Sequence, residues 1–487
     1  MAAHGQVYRH EAAKRARRRR WLIALGILLA IPIIAHIVVL FSTKIEPPQI
    51  STLSGEPTNA GDGLRILDSS YARKRGAILE VRLVGTPEEI GYRHARLLYP
   101  EMVANEGTLQ DQFRHFVPIP PLRWLIMDLS RVEYRHVDQG MPETRRHEIA
   151  AEARGFSPDP FESILPGYHR FVFLNALYDI ALSFEHSPLI GCTSFALGDG
   201  AFEKGHVVLA RNFDFEAGSI FDTGKAVFLV REEGAIPYAS VSWPGLVGVF
   251  SGMNAEGFGL VVHGARARTP RAVGEPVVHT TRDLLAHART TAEAIEIVRQ
   301  RPPMVSHLLM FVDASGDVAI VERAPGEPIH VRRGRGKVPL TNHFEGPLAT
   351  DPANQRVEAT TSTKSRRMRL DELLEKLPAG SNVESAVAIL RDKKAVGGAD
   401  MPLGHRRTID AIIATHAVVM DATERVMWVS EGPHLLGRFI RFDLARLLDP
   451  KYEPRDEPLE TLPEDPLYRS PAYEAWKQAG EPHHGEN

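Results

Sequence analysis

The longest apolar stretch of the chain lies close to its N-terminus. Residues 21–41 are apolar apart from His36. About twenty apolar residues are enough for a helix to cross a bilayer, whereas the apolar part of a cleavable signal peptide usually has only about 7–15 residues. The pattern therefore predicts a transmembrane anchor over residues 21–41. Ala35 and Ser42 are small residues that leave cleavage of this segment as the alternative.

The charges before this stretch predict its orientation. Basic residues crowd the first twenty positions, at Arg9, Lys14, Arg15 and residues 17–20. Basic residues concentrate on the cytoplasmic side of membrane helices, so we expect residues 1–20 to form a cytoplasmic tail and the part of the chain after residue 41 to lie in the periplasm or outside the cell. A nucleic-acid-binding arm is the alternative interpretation. The adjoining apolar run and a formal net charge of −3 argue against a nucleic-acid partner.

The next part of the chain combines a linker with a mainly helical segment. Residues 42–62 are rich in Pro, Ser, Thr and Gly, which is typical of a linker. Residues 63–191 carry one predicted strand, 77–84, and otherwise apolar positions at helical spacing. The predicted helices cover residues 87–105, 145–155 and 170–184, and Pro188 ends the last of them.

From residue 192 onward short apolar strands dominate. They are predicted at residues 193–197, 207–212, 227–231, 238–243, 246–250, 257–263, 308–313, 318–322, 338–342, 416–421 and 426–430. Helices are predicted at residues 281–299, 364–377 and 383–391. Strand clusters separated by helices suit an α+β fold in which helices cover two stacked sheets. Residues 192–452 form this predicted domain, and the polar, Pro-rich residues 453–487 form a predicted loosely packed tail.

The chain contains a single cysteine, Cys192. One cysteine cannot form an intrachain disulfide, so Cys192 is either a buried small apolar residue or a nucleophile. A hairpin formed by the predicted strands 193–197 and 207–212 would place Arg211 roughly opposite Cys192, with Asp214 just beyond. A guanidinium beside a thiol lowers the pKa of the thiol. This arrangement favours the nucleophile.

The motifs around this hairpin resemble those of the cysteine-type N-terminal-nucleophile (Ntn) hydrolases. This superfamily includes penicillin acyltransferase-like enzymes, bile-salt (choloylglycine) hydrolases, acid ceramidase and N-acylethanolamine amidase. The match consists of Cys192-Thr193 followed by Arg211-Asn212-Phe213-Asp214, and similar motifs recur at residues 85–92, 174–179, 254–259, 341–344 and 365–366. The resemblance implies a four-layer αββα sandwich, with residues 63–191 as the propeptide segment.

The resemblance also implies roles for individual residues. Cleavage between Gly191 and Cys192 would free the Cys192 α-amino group, whose reference pKa of roughly 7.7–8.0 suits a general base. Asp214 would orient that amine, although a turn aspartate is the alternative. Arg211 would polarise the thiolate or hold Asp214. Two further candidates are Asn342, as an oxyanion donor or a turn residue, and Arg366, as a site residue or part of a solvated basic face.

One departure from the family pattern concerns the end of the predicted strand 257–263. Bile-salt hydrolases have an oxyanion-hole asparagine where this chain has Gly264. The Gly264 N–H or the neighbouring His263 is the expected substitute, and Asn254 in the preceding Asn-Ala-Glu-Gly turn is a further candidate for an oxyanion or substrate contact. This departure favours the penicillin acyltransferase-like branch.

These observations predict an enzyme that hydrolyses or transfers the acyl group of a small N-acylated amide through an acyl-Cys192 thioester. No cofactor or metal is expected, and the sequence does not decide between hydrolysis and transfer. A papain-like Cys-His hydrolase is one alternative. An inactive, membrane-tethered binding protein on the same scaffold is the other. Self-association is left open by the sequence.

Overall fold

The computed structural model of the chain describes residues 2–184, 190–215 and 219–483. The predicted helix stop at Pro188 lies outside these residues. Helices α1 to α14 cover, in chain order, Ala2–Ser42, Pro87–Leu97, Tyr99–Phe116, Pro120–Glu133, Glu143–Gly155, Gly167–Ser183, Ile220–Thr223, Val277–His287, Thr291–Arg299, Pro352–Thr360, Thr363–Lys376, Val383–Leu390, Leu444–Leu447 and Pro471–Gln478. Short 3₁₀ helices add Val137–Gly140, Glu203–Gly205, Pro347–Thr350, Val396–Gly398 and Pro466–Arg469.

The strands belong to two sheets. Strands β1 to β18 cover, in chain order, Thr58–Asn59, Arg65–Leu67, Ser70–Arg75, Ile78–Gly85, Ile190–Leu197, Val208–Phe215, Ala226–Glu232, Tyr238–Ser242, Ser251–Asn254, Gly259–Gly264, His307–Val312, Val318–Arg323, His330–Gly334, Lys337–Leu340, Ala414–Asp421, Val426–Ser430, Phe439–Asp443 and Thr461–Leu462. The first sheet has the order β1-β2-β3-β4-β7-β8-β9-β10-β11-β12-β13, and the second has β14-β5-β6-β15-β16-β17-β18. The β4–β7 pair is parallel, and neighbouring strands are otherwise antiparallel.

The main hydrophobic core lies between the two sheets. It joins Val227 and Leu308 of the first sheet to Leu209 and Val418 of the second, all of them fully buried. On its other face the second sheet packs against α11 and α12, whereas α2, α8 and α9 contact strands of the first sheet. This arrangement of helix, sheet, sheet and helix confirms the predicted α+β, four-layer αββα fold.

Two helices that the sequence predicts as continuous are each divided. The segment 87–105 is shared between α2 and α3, because Pro100 has no N–H with which to continue the hydrogen bonds of α2. The segment 281–299 is shared between α8 and α9, and Thr290 caps α9 by accepting a hydrogen bond from the Glu293 N–H. In both places the apolar spacing continues across the break, and for this reason the sequence predicted one helix. Both predictions were wrong.

The predicted strand 246–250 is not a strand in the structure, and its one backbone hydrogen bond to a strand among the described residues is that from the Val262 N–H of β10 to the Phe250 carbonyl. Its backbone is bound to helices instead: the Val247 N–H donates to Asn175 Oδ1, and the Val249 N–H donates to the Val278 carbonyl. Apolar character alone predicted this segment, and the hydrogen-bond partners lie on α6 and α8. The other predicted strands and helices overlap observed ones.

Two segments of the chain differ in structure from what the sequence predicts. Residues 63–191 are not only helical, because they supply β2, β3 and β4, and β4 pairs with β7 of the later domain. The tail 453–487 is not loose as far as residue 483. Strand β18 extends the second sheet, and Tyr473 and Trp476 of α14 are buried.

The chain divides into two compact units. One comprises residues 1–46 and 113–135, and the other residues 47–112 and 136–487. Within the first unit, α1 contains a stretch, Lys14–Ser42, that is long and apolar enough to cross a membrane. His36 of this helix lies 2.8 Å from a carboxylate oxygen of Asp128 on α4. The second unit contains both sheets and the candidate site.

Candidate active site

The hairpin of β5 and β6 carries the candidate nucleophile. In its antiparallel register Gly191 lies opposite Asp214, and Ser194 lies opposite Arg211. The predicted hairpin is therefore present, with Arg211 two residues away from the position opposite Cys192. Because residues two apart in a strand point to the same face, the Arg211 side chain still reaches the thiol.

The Cys192 thiol is fully buried beside the Arg211 guanidinium. Arg211 Nη2 donates to Sγ at 3.3 Å, and Nη1 donates to the Phe250 carbonyl and to Ser251 Oγ, both at 2.6 Å. Burial raises the pKa of the thiol more than the Arg211 charge lowers it, and the Asp214 charge raises it further. Desolvation of the sulfur thus outweighs one neighbouring cation in the uncut chain, and the role of Arg211 in polarising the thiolate stays a prediction.

The backbone of Cys192 is held by two side chains from the second half of the chain. The Cys192 N–H donates to Asn342 Oδ1 at 2.8 Å, while Arg366 Nη1 donates to the Cys192 carbonyl and, at 2.8 Å, to Thr193 Oγ1. Arg366 Nη2 also donates to Asn342 Oδ1 at 3.0 Å, and Asn342 Nδ2 donates to the Gly264 carbonyl at 3.0 Å. Arg366 is 4% exposed, so the alternative of a solvated basic face is wrong for this residue.

His263 lies next to the nucleophile strand without contacting the thiol. Its Nδ1 lies 3.1 Å from the Thr341 carbonyl, which can only accept, so Nδ1 carries the proton. Its Nε2 then accepts from Ser194 Oγ at 2.6 Å. Burial, followed by the Arg211 charge, lowers the pKa of His263 well below its usual value. His263 is therefore a neutral side chain that fixes Ser194 on β5.

Asn254 belongs to a turn rather than to the Cys192 cluster. Its Oδ1 accepts from the Glu256 and Phe258 N–H groups, and its Nδ2 donates to two carbonyls of α8 and the loop after it. The turn joins β9 to the beginning of β10, whereas Gly264 ends β10. The structure thus brings His263 and Gly264 to the Cys192 cluster and gives Asn254 a role in holding the turn.

An apolar cavity of about 90 Å³ opens beside this cluster. Aromatic side chains make up much of its wall. The lining residues are Met102, Asn105, Glu106, Leu109, Phe171, Leu174, Asn175, Leu177, Tyr178, Phe213, Phe215, Phe221, Trp243, Pro244, Gly245, Leu246, Phe250 and Val278. Two of the lining residues neighbour the cluster, since Phe213 is paired with Cys192 in the hairpin and the Phe250 carbonyl accepts from Arg211.

Tyr178, which belongs to the motif at residues 174–179, lies beside the Cys192 cluster. Its place in the apolar stripe of α6 suggested core packing, and its ring does pack against Phe250 at 5.0 Å between centroids. Its hydroxyl, however, lies next to Gly264: a Cβ on that glycine would be 3.3 Å from Tyr178 Oη. A polar atom at the end of an otherwise apolar stripe is the signal that was available.

Ligand atoms for a metal come together at one place among the described residues. This place is formed by His206, Asp421 and Glu424. The hydrogen bonds of the Cys192 cluster described above involve none of these three residues. The chemistry available at the cluster is that of a thiol, two arginines, a carboxylate and amide groups. These groups suit acyl transfer to sulfur. The expected absence of a cofactor stays a prediction.

Comparisons with known proteins point to the same chemistry. The family model of acyl-coenzyme A:6-aminopenicillanic acid acyl-transferase matches residues 201–401. No curated protein sequence matches the chain.

Several solved structures are similar to this chain. The Caenorhabditis elegans N-acylethanolamine-hydrolyzing acid amidase ortholog is 16% identical, with 48% of this chain and 93% of that chain covered and a TM-score of 0.36. Penicillin V acylase from Agrobacterium tumefaciens is 19% identical, with 52% and 91% covered and a TM-score of 0.36. The C2A mutant of conjugated bile acid hydrolase from Clostridium perfringens is 11% identical, with 56% and 97% covered and a TM-score of 0.33. The match shows a domain of the penicillin acyltransferase family over residues 201–401 and confirms the resemblance to that family predicted from the sequence.

Proposed function

We propose that this chain is a membrane-anchored amide hydrolase or acyltransferase that cuts its own Gly191–Cys192 bond and then works through an acyl-Cys192 thioester. The observation that carries the proposal is the set of contacts to one residue. Arg211 contacts the Cys192 thiol, Asn342 accepts from its N–H, and Arg366 donates to its carbonyl. Three separate elements thus fix the sulfur and the backbone on both sides of it, as a reacting residue requires.

The first step is cleavage of the chain itself. The Cys192 sulfur attacks the Gly191 carbonyl carbon, the C–N bond to Cys192 breaks, and the proton of the thiol ends on the departing nitrogen. Water then hydrolyses the resulting thioester, which leaves a carboxylate on Gly191 and a free thiol on Cys192. In the uncut chain the nitrogen of Cys192 is an amide hydrogen-bonded to Asn342 Oδ1, so it cannot accept a proton before this step.

After cleavage the Cys192 nitrogen is an amine that can take the proton of the thiol. The sulfur attacks the substrate carbonyl, and the ammonium returns its proton to the leaving amine as the C–N bond breaks. Water or a second amine then attacks the acyl thioester and regenerates the thiol. Asp214, opposite Gly191 in the hairpin, is the carboxylate available to orient the new ammonium group. Both hydrolysis and transfer follow this route.

The cavity beside Cys192 supports an apolar acyl group in the substrate. Phe213, Trp243 and Phe250 present aromatic surfaces there. The acidic lining residue Glu106 is paired with Arg170, so its charge is already balanced. We therefore expect N-acyl amides with an unbranched aliphatic or aryl acyl group to be accepted before those with a charged acyl group.

The test uses the full chain, purified in detergent, and an N-acyl chromogenic amide. Intact-mass measurement should find a fragment beginning at Cys192, and amide turnover should accompany it. Cys192→Ala should abolish both. Cys192→Ser should retain weak activity, because a hydroxyl ionises far less than a thiol at neutral pH. Full turnover by a wholly uncut chain, or by the Cys192→Ala variant, would overturn the proposal.

The membrane location is supported by α1 and by the basic residues before it. The expected orientation has the N-terminus in the cytoplasm. An alkaline phosphatase fused after residue 62 should be active in a Gram-negative host, because this reporter folds only outside the cytoplasm. A β-galactosidase fusion at the same position serves as the reciprocal control. Activity of that control alone would contradict the orientation while leaving the chemistry at Cys192 untouched.

A papain-like Cys-His mechanism receives no support from the contacts of the thiol. Among the described residues, Arg211 hydrogen-bonds Cys192 Sγ and no histidine does. His263 is bound to Ser194, and His416 Nε2 is bound to Ser251 Oγ at 2.9 Å. An inactive binding protein on the same scaffold would not need the buried contacts that Arg211 and Arg366 make with Cys192. The measurement of cleavage and turnover described above distinguishes the proposed mechanism from the Cys-His mechanism and from an inactive scaffold.

A further inference from the structure

Helix α4 turns an apolar side outward. Exposed apolar residues recur along it at helical spacing and form one stripe, which consists of Leu122, Leu125, Leu129 and Val132. Phe116 and Ile119, which precede the helix, are exposed as well. Contiguous apolar patches on a protein surface mark sites that bind another protein or a membrane. The stripe is therefore a candidate interaction surface.

The other side of α4 contacts α1 through polar groups. Asp128 Oδ2 lies 2.8 Å from His36 Nδ1, and the Trp124 ring stacks on the His36 ring. Arg131 is buried and donates to the Leu40 carbonyl at 3.1 Å. Leu40 is one of the last four residues of α1, whose carbonyls have no partner within their own helix. A surface helix of a soluble protein has its apolar side inward and its polar side in water, so α4 has the reverse arrangement.

The contact with Asp128 also accounts for the polar residue His36 in the apolar run 21–41. Polar side chains within membrane helices pair with other polar groups and turn away from lipid. Asp128 supplies such a group from a segment 92 residues later in the chain. Helix α4 thus covers the part of α1 that would otherwise present an imidazole to the bilayer.

The same contacts indicate how deep α4 would lie in a membrane. His36 and Leu40 precede Ser42, the last residue of α1, by six and two residues, which corresponds to roughly 9 and 3 Å along the helix axis. Amphipathic helices on bilayers bury their apolar side about 5–10 Å deep. With 14 residues, α4 is about 21 Å long and too short to cross a hydrocarbon core of about 30 Å. It would therefore enter the membrane from one side only.

Two observations favour lipid over a protein as the partner of the stripe. Ile33, Ile34 and Ile37 of α1 are exposed in the same compact unit as α4, so a bilayer that covers them at this depth also reaches α4. Arg114 and Arg135, which flank the segment, are exposed and suit the anionic headgroups that attract basic residues beside such helices.

We propose that α4 is a second membrane-bound helix, which lies beside α1 in the leaflet where α1 ends. Its stripe contacts the lipid acyl chains, and its polar side is bound to α1. The inference rests on the membrane anchor in the proposed function and adds a second lipid-binding element to that anchor.

The test attaches a nitroxide label to the stripe of the full chain in nanodiscs of phosphatidylcholine and phosphatidylglycerol. The label is carried by a new cysteine, Leu125→Cys or Leu129→Cys, in the Cys192→Ala chain, which has no other thiol. Met368→Cys is the matched control, because Met368 is 50% exposed, Leu125 is 53% exposed, and Met368 lies in the other unit. Oxygen concentrates among acyl chains and a nickel chelate stays in water, so their relative access to the label identifies its surroundings.

The ratio of oxygen to nickel access should be several-fold higher at Leu125 and Leu129 than at Met368. A ratio equal to that at Met368 would mean that water covers the stripe. Low access of both reagents would mean that protein covers it, either a second copy or another part of this chain. Either result overturns the proposal. Ile34→Cys on α1 separates the two inferences: if its label also lacks lipid contact, the anchor in the proposed function fails, and the proposal for α4 fails with it.

A charged substitution gives a second, independent measurement. Leu129→Asp, in the chain labelled at Leu125, should raise nickel access to the label, because a carboxylate among acyl chains is unfavourable and would draw α4 toward water. Met368→Asp in the same labelled chain should leave nickel access unchanged. If Leu129→Asp had no more effect than Met368→Asp, the stripe would not face lipid.

Discussion

Asp214 occupies the space that a side chain on Gly191 would need. The two residues are directly paired in the β5–β6 hairpin, and a Cβ on Gly191 would lie 3.1 Å from Asp214 Oδ2 and 3.8 Å from Arg366 Nη2. A side chain at position 191 would crowd the Asp214 carboxylate, which would have to move by a few tenths of an ångström. The absence of a side chain on Gly191 thus leaves room for the Asp214 carboxylate directly beside the bond between Gly191 and Cys192.

Gly191→Ala should therefore slow cleavage of the chain. The new methyl group has to displace the Asp214 carboxylate or shift the backbone around the scissile bond, and misplacement by about 1 Å can cost about a hundredfold in rate. Gly198→Ala is the matched control, because a Cβ there meets its nearest atom only at 3.8 Å. The measurement is the fraction cut against time, followed by intact mass. Equal rates for the two variants would show that Asp214 does not confine the bond.

Arg366→Met should destabilise the chain and impair cleavage. The substitution leaves the Cys192 carbonyl and Asn342 Oδ1 without a charged donor in a buried site, which should lower the free energy of unfolding by about 2–4 kcal/mol. Arg367→Met is the control. Arg367 is partly exposed and pairs with Asp371 and Glu345, which both keep contact with solvent, so its loss should cost about 1 kcal/mol or less. Urea unfolding followed by tryptophan fluorescence distinguishes these values, and equal losses would contradict the burial argument.

The sequence predicted the layers of the fold better than the ends of its elements. Apolar strand patterns and the Ntn-type motifs together indicated two stacked sheets, and the structure confirms them. Breaks such as the one at Pro100 were missed because apolar spacing continues through them. The prediction of a strand over residues 246–250 was wrong because the hydrogen-bond partners of Val247 and Val249 lie on helices that are distant in sequence. Local pattern contains no information on such partners.

At the candidate site, too, the sequence indicated which residues lie together but not how deeply they are buried or where their side chains point. Motif spacing placed Arg211 near Cys192, but the sign of the pKa shift depends on how completely the sulfur is buried, which spacing does not determine. The motif at residues 365–366 indicated Arg366 among several arginines on a helix, but only the tertiary structure shows that Arg366 is buried against Cys192 while Arg367 is partly exposed. Tyr178 belongs to the motif at residues 174–179, but this motif does not determine where the hydroxyl points, because that direction is decided by packing against Phe250.

His263→Gln should reduce amide turnover by less than about tenfold. His263 is neutral and both ring nitrogens are engaged away from the thiol, whereas a true general base contributes about 10²–10⁴-fold. Glutamine can keep one donor and one acceptor for Thr341 and Ser194. Steady-state turnover per cut molecule is the measurement, with Cys192→Ala as the reference for complete loss. If His263→Gln were as inactive as Cys192→Ala while folded and cut, a Cys-His mechanism would replace the α-amino base.

Cleavage and turnover should respond differently to pH, because different groups activate the sulfur in the two reactions. In the uncut chain burial raises the pKa of the Cys192 thiol above its usual value near 9. The thiolate is therefore the minor form at neutral pH, and the rate of cleavage should rise about tenfold per pH unit up to and beyond pH 9. In the cut enzyme the α-amino group, with a reference pKa of roughly 7.7–8.0, accepts the proton. Turnover should accordingly level off above about pH 8.

The two profiles can be measured on one preparation. Uncut chain is purified at low pH, where the thiol is least ionised, and cleavage is followed by intact mass after a jump to each test pH. Fully cut enzyme is assayed across the same range with the chromogenic amide. Gly191→Ala, whose cleavage is slowed, extends the measurable range at high pH and should show the same slope. A cleavage rate that levels off near pH 8 together with turnover would mean that Arg211 already lowers the thiol pKa in the uncut chain, against the effect of burial.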